Sequence, residues 1–72
     1  MNTGTVVLSG EELFKLHDTY GFPLYMSLFQ AHKRGMRCDL FGFAHAALKA
    51  GWSAARTQSV IRESIADGGR SA

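Results

Sequence analysis

The stretch FKLHDTYGFPL, residues 14–24, contains the signals that decide the fold. Gly21 tolerates the positive φ that commonly ends a helix, and Pro23 lacks an N–H and suits the first turn of the next helix. Phe22 precedes the proline and is therefore disfavoured in the α region. The stretch predicts a helix, a tight corner and a second helix. We assign the corner to Asp18, Tyr20, Gly21, Phe22 and Pro23, and expect Tyr20 and Phe22 to be buried there.

Further start and stop signals extend this pattern to four short helices. Ser9 and Glu12 form a capping box, which predicts that the first helix covers about residues 10–20. The third helix carries a broad apolar face that includes Phe41 and Leu48. The later helices are predicted between three pairs of signals: Pro23 to Arg34, Asp39 to Gly51, and Ser53 to the residue before Gly68. The fold class is therefore all-α, a compact bundle of four short helices with an extended N-terminal arm.

Residues 1–8 lie before the first helix signal and are predicted to form a flexible or extended arm. Within this arm, residues 5–8 are rich in β-branched side chains but have no obvious partner strand. Residues 35–38 are interpreted as a short connection between the second and third helices. The helical domain is assigned to residues 9–68, and residues 69–72 are expected to form a flexible tail.

Length and composition restrict the class of protein. Seventy-two residues allow one domain, and a content of 46% hydrophobic and 19% charged residues is ordinary for a soluble protein. Cys38 is the only cysteine, so no internal disulfide can form. No apolar run approaches the length of a membrane span, and no secretory signal is recognisable at the N-terminus. We therefore expect a cytoplasmic protein without membrane contact.

Three histidines invite a metal or catalytic hypothesis, which their spacing does not favour. His17, His32 and His45 lack the i, i+4 or short Cys/His spacing that metal sites commonly use. His17 and His32 each lie on an apolar stripe, so the expected role is a half-buried histidine that is hydrogen-bonded to backbone. A His17–Asp18 or His45–Cys38 pair lacks a third orienting group. We predict no catalytic residue, no metal, no cofactor and no enzymatic activity.

The stretch at residues 14–24 resembles the segment that follows the catalytic core in alanyl-tRNA synthetases. The likeness begins near Leu8 and continues weakly to Gly42-Phe43, so it covers about half of the chain. Two positions depart from the family pattern: His17 stands where an aromatic residue is usual, and Tyr25-Met26-Ser27 replaces a run like Asp-Leu-Thr. The second departure makes the second helix less acidic and more apolar, which suits contact with protein as well as with RNA.

The resemblance implies a binding module and not an aminoacylating enzyme. Adenylate formation in that family needs a large antiparallel sheet, which a chain of 72 mostly helical residues cannot contain. In the family, the matching segment belongs to the helical region that helps to place the acceptor end of tRNA. We therefore expect binding of a macromolecule, either a protein partner or a tRNA-like RNA. For RNA, the phosphate contacts would come from four basic residues: Lys15, Lys33, Arg34 and Arg37.

Large apolar side chains support a protein partner as an alternative of equal rank. We assign the interface to Tyr25, Met26, Phe29 and Trp52, and expect Tyr25, Met26 and Trp52 to form a contiguous exposed patch. Such a patch would contact another protein or a second copy of this chain in a homodimer. One version of this alternative is a phage or mobile-element protein that binds and inhibits a host protein.

The third candidate partner is DNA, because residues 44–66 resemble a helix-turn-helix motif with its turn at Gly51. The second helix of the motif would direct four side chains at base edges and phosphates: Arg56, Thr57, Gln58 and Arg62. Thr57 departs from the motif, because such proteins usually bury a branched apolar residue at this position. The formal net charge of +2 permits contact with nucleic acid but does not require it, and DNA ranks behind RNA and protein.

Overall fold

Residues 6–71, the part of the chain that the computed structural model describes, form four helices and two very short strands; side chains are described for residues 6–66. The elements in chain order are β1 (Val7–Leu8), α1 (Gly10–Asp18), α2 (Leu24–Lys33), β2 (Arg37–Cys38), α3 (Leu40–Lys49) and α4 (Ala54–Ser71). Helix α1 packs mainly on α3, and α2 packs mainly on α4. The predicted all-α class, with four helices after an extended segment, is confirmed.

The extended segment before α1 has a partner strand that the sequence did not reveal. Strand β1 pairs in parallel with β2, with Val7 opposite Arg37 and Leu8 opposite Cys38. The Arg37 N–H also donates to the Val6 carbonyl at 2.9 Å. The extended arm is therefore present, but its partner lies in residues 35–38, which the sequence analysis interpreted only as a connection. Two-residue strands are too short to show the alternation by which a sequence marks a strand.

The corner between α1 and α2 forms as the sequence predicts. Gly21 adopts a φ of +69°, a conformation that residues with a Cβ rarely adopt. The N–H of Phe22 then donates to the Leu16 carbonyl at 2.9 Å. Pro23 is the N-cap of α2, and its carbonyl accepts from the Met26 N–H at 3.0 Å. Because Pro23 precedes the helix, its missing N–H leaves no intrahelical hydrogen bond unmade.

The burial predicted for Tyr20 is wrong. Its side chain is 66% exposed, whereas Phe22 is half-buried and Leu24 is buried. Helix α1 ends at Asp18 and not near residue 20 as expected, although Thr19 still lies in the αR region and donates its N–H to the Lys15 carbonyl at 2.9 Å. The Tyr20 N–H donates to the same carbonyl at 3.3 Å, which marks the end of the regular α-helical pattern.

Glycines also end α2 and α3. Gly35 has a φ of +72° and Gly51 a φ of +104°. In both turns, the residue after the glycine donates its N–H to the carbonyl five positions earlier, as from Met36 to Ala31 at 2.8 Å. This hydrogen bond satisfies a carbonyl that the end of a helix would otherwise leave without a partner. Each of these helices is therefore stopped by its own local sequence.

Helix α4 is longer than predicted. It covers Ala54–Ser71 and passes through Gly68 and Gly69, so the end predicted before Gly68 is wrong. A glycine weakens a helix by about 1 kcal/mol relative to alanine, which is too little to stop a helix with several preceding turns. Residues 1–5 and Ala72 lie outside the described residues, so the flexible arm and tail expected there stay predictions.

The core lies where α1, α2 and α3 meet the turn before α4. Leu13 and Phe43 are fully buried, and Leu24 and Trp52 join them. Phe14 packs edge-to-face against two of these residues, with its ring centroid 5.8 Å from that of Phe43 and 5.4 Å from that of Trp52. Edge-to-face aromatic pairs are favoured because the positive ring edge meets the negative ring face.

The first turns of α1 and α3 touch through their backbones. A Cβ atom on Gly10 would lie 1.9 Å from the carbonyl carbon of Gly42 and 2.0 Å from the backbone nitrogen of Phe43. Ordinary carbon contacts are about 3.5–4.0 Å long, so no side chain fits there. The two helices start at the N-caps Ser9 and Asp39, whose side chains accept backbone hydrogen bonds as predicted. The helix crossing therefore requires glycine at position 10.

Candidate functional site

The four basic residues predicted to contact RNA are all exposed. Lys15 lies on α1, Lys33 and Arg34 lie at the end of α2, and Arg37 lies in β2. No aspartate or glutamate occurs between residues 19 and 38, so Lys33 and Arg34 have no acidic neighbour close in sequence. Arg37 lies two positions before the exposed Asp39, and Lys15 has acidic residues on its own helix.

Beside these basic residues, the corner between α1 and α2 borders a cavity of about 400 Å³, here named the corner cavity. One wall is a single face of α2, formed by residues three or four positions apart: Ser27, Gln30, Ala31 and Arg34. The remaining walls are apolar and include Leu8, Leu16 and Met36. None of the described residues that line the cavity is acidic. The cavity is thus apolar on most sides and carries a positive charge on one wall.

Ser27 carries a buried polar group without a partner behind this wall. The residue is 4% exposed, and its Oγ is buried with no hydrogen-bond partner among the described residues. The other buried hydroxyls, on Thr57 and Ser64, each donate to a carbonyl of their own chain four positions earlier, at 2.9 and 2.6 Å. For Ser27 that carbonyl belongs to Pro23, which already accepts two backbone N–H groups. A single serine in a helix gives no signal of burial in sequence, so the sequence did not predict this position.

Trp52 is buried and does not belong to the protein interface to which it was assigned. Trp52 is 9% exposed and belongs to the core, so the expected exposed patch of Tyr25, Met26 and Trp52 is wrong. The glycine turn after α3 directs Trp52 inward, and the guanidinium carbon of Arg56 lies 3.8 Å from its ring centroid. Tyr25, Met26 and Phe29 are half-buried on α2. Their role in binding a protein stays a prediction.

The predicted DNA-contacting residues do not form one surface. Thr57 is 4% exposed and its Oγ1 donates to the Ser53 carbonyl, so its assignment to base contact is wrong. Its position faces the packed side of α4, where the motif usually buries an apolar residue. Gln58 and Arg62 are exposed and lie one turn apart on the same side of the helix. Arg56 is exposed as well, but its guanidinium stacks on the core tryptophan. Only two of the four residues therefore share a free face.

The histidines differ in their surroundings. His17 is half-buried, its Nδ1 lies 3.2 Å from the Phe22 carbonyl oxygen, and its ring packs edge-to-face near Phe43 and Trp52. This confirms the predicted role of a histidine that is hydrogen-bonded to backbone. His32 is exposed, so the burial predicted for it is wrong, because the buried side of α2 runs through other residues. His17 therefore connects the corner to the aromatic core.

Cys38 is half-buried and packs against the core. Burial raises the pKa of its thiol, because the thiolate would lose hydration. The thiolate is the reactive form, so a raised pKa makes this cysteine a weak nucleophile at neutral pH.

Phe41 is an exposed aromatic side chain that the sequence analysis assigned to a packed face. Phe41 is 92% exposed and Leu48 is 50% exposed, so the broad apolar face predicted for α3 is wrong at both positions. The buried side of α3 runs through Phe43 and Ala47. A depression of about 410 Å³, as open to solvent as the corner cavity, lies between Phe41 and Val7 of β1. An exposed phenylalanine beside an exposed valine is a candidate contact surface for another molecule.

Two kinds of feature are absent from residues 6–71. No group of three or more histidine, cysteine, aspartate or glutamate side chains lies close enough together to hold a metal ion. None of the helices in this range combines the length and the apolar character needed to cross a bilayer.

Comparison with known proteins finds partial similarity to alanine–tRNA ligases. The chain is 50% identical over 42 residues to the ligase of Frankia alni and 55% identical over 40 residues to that of Polaromonas naphthalenivorans. It is 49% identical over 41 residues to the ligase of Mycobacterium tuberculosis. These matches cover 58%, 56% and 57% of this chain, respectively, but only 5%, 5% and 4% of the three ligases.

No protein-family model and no solved structure matches the chain. The similarity is therefore confined to a short piece of a much longer enzyme, and this chain spans about one-twentieth of its relatives' length. The resemblance predicted from residues 14–24 is confirmed at this level. Over rather more than half of its own length, the chain is similar to a short segment of alanine–tRNA ligases.

Proposed function

We propose that this helical region has no catalytic activity of its own and binds tRNA-like RNA. The observation that carries the proposal is the similarity to a segment of alanine–tRNA ligases, enzymes whose substrate by name is a tRNA. A segment that amounts to about 5% of such an enzyme is too small to contain its catalytic machinery. Binding is the property that so small a helical segment can retain.

The charge distribution supports RNA as the partner. Lys15, Lys33, Arg34 and Arg37 are all exposed, and three of them lie within five positions around the turn after α2. RNA phosphates attract such groups through long-range electrostatics and by release of counterions. No acidic residue occurs from 19 to 38, so Lys33 and Arg34 have no acidic neighbour close in sequence, whereas Lys15 and Arg37 do. An RNA partner of this kind would place the protein in the cytoplasm.

A salt titration tests the proposal directly. Labelled tRNA is titrated with the protein between 50 and 200 mM salt, and binding is followed by fluorescence anisotropy. Neutralisation of four phosphates predicts a log–log slope of roughly −3 to −4, which is a loss of affinity of roughly a hundredfold over this range. Absence of tRNA binding at the lowest salt, or an affinity independent of salt, contradicts the proposal.

Single charge removals show whether the assigned residues make the contacts. Lys33→Gln should reduce the magnitude of the salt slope by about one unit and weaken binding to all RNA sequences alike. Lys49→Gln is the matched control, because Lys49 is exposed at the end of α3, outside the assigned set. Equal losses in the two variants would show that only net charge matters and that the assigned surface is wrong.

A protein partner is the second candidate, and the exposure of Phe41 favours it. A side chain that is 92% exposed places nearly a whole aromatic ring in water, which another protein surface could cover. Light scattering at increasing protein concentration tests the homodimer form of this candidate. A monomer at all concentrations removes the homodimer, whereas self-association that is lost in Phe41→Ser supports it.

A further inference from the structure

One stretch of the chain alternates aromatic and basic side chains at intervals of four: Phe29, Lys33, Arg37 and Phe41. The Lys33 ammonium nitrogen lies 5.5 Å from the centre of the Phe29 ring, within the range of a cation–π contact. Proteins that bind single-stranded nucleic acid combine the same two kinds of group, with cations for the phosphates and aromatic rings for the bases. The stretch therefore has the composition of a surface for unpaired nucleotides.

Arg37 and Phe41 meet at the depression beside strand β1, here named the Phe41 depression. Both residues line it, together with Val7 and Leu40. Because Phe41 is 92% exposed, nearly its whole ring is free to stack on a flat partner. At about 30 Å³ for each water-sized group, the volume of about 410 Å³ has room for roughly a dozen non-hydrogen atoms, the size of one nucleobase. A space for one base thus has an aromatic ring and a guanidinium on its walls.

Charge alone does not select the ligand of the Phe41 depression. Asp39 also lines it, and its Oδ1 accepts the Gly42 N–H at 2.9 Å as the N-cap of α3. A carboxylate two residues from Arg37 weakens the attraction between the guanidinium and a phosphate. The selection must therefore come from the ring, which favours molecules with an open flat face. Bases inside an RNA double helix stack on one another, so only unpaired nucleotides offer such a face to a protein.

We infer that the Phe41 depression binds one unpaired nucleotide of an RNA, whose base stacks on the Phe41 ring and whose phosphate contacts Arg37. This inference rests on the proposed function, because Arg37 belongs to the residues assigned to RNA. It narrows the RNA to molecules with an accessible single-stranded segment. Lys33 and Arg34, four and three positions before Arg37, contact phosphates of neighbouring nucleotides. Stacking accepts every base, so the site prefers single strands without reading their sequence.

Two RNA probes separate single strands from double helices. A labelled oligouridylate of about ten nucleotides and a labelled duplex of about ten base pairs are titrated with the protein at low salt, and fluorescence anisotropy gives both affinities. The single strand should bind about tenfold more tightly, although the duplex carries more phosphates. A duplex bound equally or more tightly overturns the inference but leaves the proposed function standing. Absence of binding to tRNA itself contradicts the proposed function.

Three variants of Phe41 test the ring. Phe41→Ala should weaken oligouridylate binding about tenfold and duplex binding by less than about twofold. Phe41→Tyr retains a flat ring and should keep the affinity for the single strand within about twofold of the unchanged protein. Phe41→Leu retains apolar surface without a ring and should bind as weakly as Phe41→Ala. Since the side chain is exposed, all three variants should fold, and circular dichroism verifies this. Full affinity in Phe41→Leu overturns the inference.

Tyr20→Ala is the matched control. Tyr20 is a second exposed aromatic residue, 66% exposed, but it does not line the Phe41 depression. Its removal should leave oligouridylate affinity within about twofold. Equal losses in Tyr20→Ala and Phe41→Ala would show that any exposed ring suffices, which overturns the site. Unchanged oligouridylate binding in Phe41→Ala, together with lost self-association, would assign Phe41 to a contact between copies of this chain and would likewise overturn the inference.

Discussion

Replacement of Gly10 by alanine tests the helix crossing on which the fold depends. A Cβ at this position would lie 1.9 Å from the Gly42 carbonyl carbon, 2.0 Å from the Phe43 nitrogen and 2.3 Å from the Gly42 Cα. These distances fall short of ordinary contact by roughly 1.5–2 Å. All three atoms belong to backbone, so no side-chain rotation can relieve the overlap. The first turns of α1 and α3 must separate, and this separation loosens the fully buried Leu13 and Phe43.

The expected loss of stability follows from two opposing effects. Overpacking of a filled core costs about 1–3 kcal/mol, and a clash with backbone belongs at the upper end. Alanine is better than glycine in a helix by about 1 kcal/mol at most, which offsets part of the loss. The net destabilisation is therefore about 2–3 kcal/mol. A domain of 72 residues has a total stability of roughly 4–11 kcal/mol. The melting temperature should fall by roughly 10–20 °C.

Thermal and urea unfolding followed by circular dichroism measure this change. Gly35→Ala is the control, because a Cβ there meets open space and only the positive φ of +72° is unfavourable. That conformation costs alanine about 1–2 kcal/mol, so Gly35→Ala should be destabilised less than Gly10→Ala. If Gly10→Ala melted within about 2 °C of the unchanged protein, or above it, the close approach of the two helices would be refuted.

Four further predictions concern the core and the surface. Trp52→Ala should lower the free energy of unfolding by about 3–5 kcal/mol, measured by urea titration, because the indole is buried among aromatic rings. Phe41→Ser should change it by no more than about 0.5 kcal/mol, since the ring is 92% exposed; a larger loss would show that the ring packs against the fold. The Cys38 thiol should react with iodoacetamide more slowly in the folded chain than in urea, because its pKa is raised by burial. Because burial raises the pKa of the Cys38 thiol, stability should fall as the pH rises from the unfolded-state pKa through the folded-state pKa, and this alkaline loss should be smaller in Cys38→Ala, measured by urea unfolding at neutral and alkaline pH.

Features set by residues three to five positions apart were predictable from the sequence. The Ser9 hydroxyl accepts the Glu12 N–H at 3.1 Å, and the Asp39 carboxylate accepts the Gly42 N–H at 2.9 Å. Gly21 takes the positive φ that ends the first helix segment. In each case the physical cause lies within about one helical turn, so residues close together in the sequence are enough to predict the feature. The number of helices and most of their ends follow from such signals.

Features that depend on distant residues were not predictable in the same way. Pairing of Val7 with Arg37 joins positions thirty apart, and neither strand is long enough to show a pattern. Exposure of Tyr20 and burial of Trp52 depend on where a helix ends and on how the next turn directs the chain. The corner cavity exists only because α1, α2 and β1 converge, so its lining could not be predicted from one helix alone.

The position of the single indole gives this chain a built-in optical reporter. Trp52 contacts Phe14 on α1, Phe43 on α3 and Arg56 on α4, so its fluorescence depends on three helices at once. A chain whose helices had formed but had not docked would keep its far-ultraviolet dichroism and emit like an indole in water. Emission wavelength and far-ultraviolet dichroism, recorded on one sample, therefore distinguish helix formation from the packing of the helices into the tertiary structure.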